Sequence, residues 1–105
     1  MDNAVGPVLR MGDEVELVVA AIEDDNPDAD IEVVDRGSYV RIQAPNRLRV
    51  TQESLQRYLG PAFEIGRLQT MMAAFSGRIE TTSDEIIWEW GAARKERLAG
   101  TGATS

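Results

Sequence analysis

The chain has no cysteine and no histidine among its 105 residues. Without Cys there is no disulfide, thiolate nucleophile, iron–sulfur ligand or thiolate metal site. Without His, the commonest general base and the commonest transition-metal ligand are both missing. Triads of the Ser–His–Asp or Cys–His type therefore cannot be built. The sequence also lacks Gly-rich phosphate loops of the G-x-G-x-x-G or Walker type. No apolar run reaches the roughly 18 residues of a transmembrane helix. The opening Met1-Asp2-Asn3 has neither the basic nor the apolar region of a signal peptide, so the expected location is the cytoplasm. What remains for chemistry is carboxylates, hydroxyls, two tyrosines and eleven Lys plus Arg. An enzyme working by Glu/Asp acid–base chemistry ranks last, because no carboxylate pair can be assigned to a pocket. The expectation is a protein that acts by binding another protein and not by catalysis with its own side chains, with a carboxylate metal site still conceivable.

Positive charge is also scarce. Eighteen Asp and Glu face eleven Lys and Arg, a formal net charge of −7. That balance argues against nucleic acid and against an anionic membrane, both of which select a basic footprint. The acid is concentrated: Asp13 to Asp35 contains ten acidic residues and no basic one. Such a run is either a solvated face or a group that steers the protein toward a basic partner.

Periodicity predicts an α+β fold of βαββ–βααββ order, with helices packed on a mostly antiparallel sheet. Residues 1–91 form one domain, and 92–105 form a C-terminal extension expected to be frayed or disordered. Val5 to Met11 is a strand that Pro7 limits to an edge or a start. Asp13 and Glu16 have capping-box spacing ahead of a helix from Glu14 to Asp24, which Asn26-Pro27 ends. Ile31–Asp35 and Ser38–Ala44 form a hairpin across Arg36-Gly37. Val40, Ile42 and Ala44 share one face of its second strand; Tyr39, Arg41 and Gln43 share the other. After a Pro45-Asn46 turn comes strand Arg47–Val50. Thr51 caps a helix from Gln52 to Leu59, stopped by Gly60-Pro61. A second helix spans Glu64 to Ala74. Phe75–Thr82 and Glu85–Gly91 form a final hairpin.

Three constellations bear on function. Asp24, Asn26, Asp28, Asp30, Glu32 and Asp35 fall at positions 1, 3, 5, 7, 9 and 12 of a calcium-loop pattern. Ala29 stands where the loop requires Gly, and a strand pattern occupies its second half. A small carboxylate-dependent metal-binding module is thus the alternative function. Ile86, Trp88 and Trp90 alternate onto one face, which reads as core, although Trp also suits a binding anchor. Met71 and Met72 end the last helix, where adjacent residues cannot both point inward. One of them is expected to join Ala73, Ala74 and Phe75 in a small apolar patch.

Several short stretches recur in a familiar order: Val5-Gly6-Pro7-Val8, Asp25-Asn26-Pro27, Val34-Asp35-Arg36, Tyr39-Val40-Arg41-Ile42, Leu59-Gly60-Pro61-Ala62-Phe63 and Ala74-Phe75-Ser76-Gly77-Arg78-Ile79. Together they resemble the effector (regulatory, or coupling) proteins of bacterial multicomponent di-iron monooxygenases, nearest the toluene and alkene monooxygenase branch. The resemblance covers roughly residues 4 to 91. It implies a cofactorless regulatory component, monomeric when free, that docks on the hydroxylase α subunit above its di-iron centre. There it would change the active-site conformation, turnover and coupling, and compete with a ferredoxin-type electron donor. It further implies that Met71, Met72, Ala73, Ala74, Phe75 and Ser76, just before Gly77-Arg78, meet the hydroxylase. Small polar residues often occupy this stretch in other members. Met71 and Ala74 here fit an apolar contact better.

Overall fold

Alternating apolar residues build two antiparallel sheets, and three helices close over their buried faces. The computed structural model describes residues 2–91, so the expected extension 92–105 lies outside the described residues. The elements run β1 (Ala4–Arg10), α1 (Val15–Asp25), β2 (Glu32–Asp35), β3 (Tyr39–Pro45), β4 (Arg47–Thr51), α2 (Gln52–Leu59), α3 (Ile65–Met71), β5 (Met72–Ser76), β6 (Arg78–Thr81) and β7 (Glu85–Glu89). A four-stranded sheet has the order β2-β3-β1-β5, and a three-stranded sheet the order β4-β7-β6.

The α+β class stands, with one strand more than the expected nine elements. The helix expected over Glu64–Ala74 ends at Met71, and the strand expected over Phe75–Thr82 is two strands in different sheets. Met72 is already extended, at φ −83° and ψ 117°. Ala73 and Ala74 favour helix, but pairing with β1 overrides that preference. Gly77 turns the chain from one sheet to the other at φ +92°. A Cβ there would sit 2.6 Å from Val5 Cγ1 and 2.7 Å from the Glu89 carbonyl oxygen, so only glycine fits. The two methionines both pack half-buried against the core, because the helix gives way to a strand between them.

Pro7 is buried in the interior strand β1 and not at an edge or a start. The β1–β3 pairing breaks at Gly6-Pro7, where the missing N–H costs no ladder bond. Gly6, at φ +141°, lets the backbone approach β3: a Cβ would meet the Ile42 carbonyl oxygen at 2.0 Å. The Asp13–Glu16 capping box does not form; Glu14 is the N-cap and makes no side-chain cap bond. Thr51 does cap α2, its Oγ1 accepting from Ser54 N at 3.2 Å. The tight hairpin residues are Gly37-Ser38 and not Arg36-Gly37, since Arg36 N donates to Tyr39 O at 2.8 Å.

The core joins Val5, Leu9, Val40, Ile42 and Ala44 of the larger sheet to Leu48, Val50, Ile86 and Trp88 of the smaller. Val18, Ile22, Leu55 and Leu68 of the helices complete it. Each large apolar side chain buried in this way contributes about 1.5–3 kcal/mol relative to exposure. Trp88 is fully buried opposite Leu48 and Ile79, as its alternation predicts. Trp90 is not core: it lies past the end of β7 and is 37% exposed.

Candidate functional site

Met72–Ser76, directly after the last helical residue Met71, forms an uncharged sheet edge. α3 ends because the chain joins β1. Arg10 Nη1 donates to the Thr70 carbonyl at 2.8 Å, satisfying one of the acceptors left at the helix end. β5 then pairs as Leu9↔Met72, Val8↔Ala74, Pro7↔Phe75 and Gly6↔Ser76. The register slips between Val8 and Leu9, leaving Ala73 as an extra, bulged residue.

The ladder fixes which backbone groups stay free. Met11 N donates to Ser38 O, and Asn46 N donates to Asn3 O. Odd-numbered residues of β1 therefore turn their backbone groups toward β3, and even-numbered ones toward β5. Gly6 and Val8 hold Ser76 and Ala74, so the N–H and C=O of Phe75 face outward from the edge. Its ring is 44% exposed, and Ala73 and Ala74 are exposed beside it. Met72 and Ile79 form the half-buried floor of a shallow groove there, bounded by Gln69 and Thr81. An open edge without charge or proline is a template for protein contact.

The acidic segment behaves differently. Asp25 accepts from Thr51 N at 2.7 Å, Thr51 Oγ1 at 3.0 Å and Ser54 Oγ at 2.7 Å. The Asn26 amide donates to Ile22 O and Arg49 O, both at 2.6 Å, and accepts from Arg49 N at 3.1 Å. Asp24 accepts from Tyr58 Oη at 2.6 Å and lies 3.6 Å from Arg57. That bond, first among its causes, raises the Tyr58 phenol above its ordinary value of 10.0. Similarly, the hydrogen bond to Glu85 raises Arg49. Asp35 accepts from Gly37 N. The calcium-loop residues are thus dispersed or already engaged. Among the described residues, no group of three or more Asp and Glu could hold a metal ion. The metal-module alternative gains nothing from this arrangement.

The sequence pattern carries the helix on to Ala74, so Met72, Ala73 and Ala74 of β5 read as helical and the edge was hidden. The Ser76-Gly77-Arg78 step was the available signal, because a Gly inside a strand pattern marks a bend. The outward rung at Phe75 had no local signal. It depends on a ladder register set by residues more than sixty positions away.

The model of the MmoB/DmpM family matches residues 3–89. The chain is 37% identical over 87 residues to the effector subunit of an alkene monooxygenase system from Xanthobacter autotrophicus (strain Py2), covering 83% of this chain and 86% of that protein. It is 27% identical over 90 residues to DmpM, the stimulatory component of phenol 2-monooxygenase from Pseudomonas sp. (strain CF600), covering 86% and 98%. A chain of the phenol hydroxylase–regulatory protein complex superposes with a TM-score of 0.73 at 28% identity, covering 83% of this chain and 98% of that one. Soluble methane monooxygenase regulatory protein B shares the fold, with a TM-score of 0.65 at 21% identity over 86% of this chain and 67% of that one. These relatives are named effector, stimulatory or regulatory components, and none is named a catalytic subunit. The chain belongs to the MmoB/DmpM family, whose members here are regulatory components of multicomponent monooxygenases.

Proposed function

We propose that this chain is the effector component of a di-iron monooxygenase and docks on the α subunit of its hydroxylase through Met71, Met72, Ala73, Ala74, Phe75 and Ser76. The observation that carries this reading is the uncharged edge of β5, with Phe75 exposed and its backbone rung unpaired. Kinship to an alkene monooxygenase effector subunit and to a chain of a phenol hydroxylase–regulatory protein complex supports it. The effector holds no metal and carries out no oxidation itself. It acts by binding one hydroxylase conformation more tightly than another, which is the only way a ligand shifts such an equilibrium. A hundredfold preference, about 2.7 kcal/mol, suffices to bring a conformation populated at one per cent to parity. A ferredoxin-type donor competes for the same hydroxylase surface. The effector is monomeric when free.

The test is reconstitution of hydroxylase, donor protein and reductant with and without this chain. Product formation per electron and turnover rate should both change on addition. Identical rate and coupling in its presence and absence would remove the proposal.

A further inference from the structure

The larger sheet has a second face that the core does not use. Val8, Arg10, Tyr39 and Arg41 point away from buried Leu9, Val40 and Ile42, and cross-strand partners share a face: Val8↔Arg41 and Arg10↔Tyr39. β5 extends the same face, because Ala74 pairs with Val8. The helices close over the opposite side, where α1 packs on α2 and β4. Tyr39 is 46% exposed, and Arg10 and Arg41 are exposed.

The charges on this face are unusual for the chain. Among the described residues, five ion pairs engage Arg47, Arg49, Arg57, Arg67 and Arg78. Arg10 and Arg41 on this face, and Arg36 in the β2–β3 hairpin, belong to none of them. Arg10 spends one donor on the Thr70 carbonyl, and among the described residues Arg41 has no carboxylate partner, in a protein of formal net charge −7. Glu32 is on this face too, but opposite Gln43 on the edge strand β2. Arg and Tyr are the residue types enriched where binding energy concentrates, and neither Tyr39 nor Arg41 is needed to fill the core. A polyanion such as nucleic acid would be repelled by the acid elsewhere on the molecule, which leaves a local group of carboxylates on a protein as the matching ligand.

We infer that the outer sheet face around Arg10, Tyr39 and Arg41 is continuous with the β5 edge as one docking surface, and seats on an acidic patch of the hydroxylase. This rests on the effector reading above. The Arg41 guanidinium pairs with partner carboxylates, Arg10 adds the donors it does not spend on the Thr70 carbonyl, and the Tyr39 ring supplies a rigid apolar contact between them.

Arg41→Glu and Tyr39→Ala are the informative variants, since both side chains are exposed and neither caps another element. Affinity for purified hydroxylase is measured by calorimetry over a range of ionic strength, with circular dichroism as the fold control. Arg41→Glu should weaken binding at least about tenfold, Tyr39→Ala about fivefold, and Arg41→Lys least. Wild-type affinity should fall with salt, and the slope should flatten in Arg41→Glu. Wild-type affinity in Arg41→Glu, alongside lost binding in Phe75→Glu, would overturn this inference and leave the effector reading standing. Tight binding of the variant to RNA instead of hydroxylase, or no hydroxylase binding by the wild type, would overturn it as well; the latter sinks both proposals.

Discussion

The edges of β4 and β5 are handled in opposite ways. β4 is closed by side chains: the Asn26 amide donates to Arg49 O and accepts from Arg49 N, completing the rung a neighbouring strand would supply. Asp25 adds an acceptor for Thr51 N and ties the same corner to α2 through Ser54. Among the described residues β5 has no such cover at Phe75, and its five residues carry no charge. Half-buried polar side chains block the one edge, while the other is left bare among the described residues, and a bare edge is a template for a contact. The closed edge serves folding, and the open edge is the one proposed above for docking.

The largest break in this comparison should come at the closed edge. Asn26→Ala strands a half-buried N–H and C=O of Arg49, at a cost of about 2–4 kcal/mol. Urea unfolding should show that loss, while the remaining folded protein binds hydroxylase as before. Phe75→Ala should do the reverse. With the ring 44% exposed, stability should change by less than about 1 kcal/mol, while hydroxylase affinity drops several-fold.

The smallest effect belongs to the rim of the closed corner. Tyr58 donates to Asp24, and this raises its phenol above 10.0. A group held protonated in this way contributes fully below its ordinary pKa, and the contribution is lost as pH rises through the higher folded value. Spectrophotometric titration of Asp24→Ala should show Tyr58 ionising at lower pH than in the wild type, with no change in hydroxylase binding.

Much of the fold is written in local pattern. The hairpin of β2 and β3, the Thr51 cap and the Gly60 stop of α2 each follow from neighbours a few residues apart. The misreadings share one physical cause. Met72-Ala73-Ala74 has helix propensity, and only pairing with β1, more than sixty residues earlier, makes it a strand. Pro7 reads as an edge residue until Gly6 allows a break in the ladder around it. The role of Asn26 was equally hidden: it reads as a helix stop, but its amide serves a strand 23 residues away. The proposed contact stretch came from the resemblance, whereas the outward rung at Phe75 is set by long-range register alone.

The account turns on whether the bare edge is where the hydroxylase sits. Phe75→Glu places a carboxylate on that edge without disturbing the core, and its affinity for purified hydroxylase can be measured by calorimetry beside its melting curve. The expected result is a wild-type melting curve with binding weakened at least about tenfold, or about 1.4 kcal/mol. Binding at wild-type strength by a folded Phe75→Glu protein would contradict it.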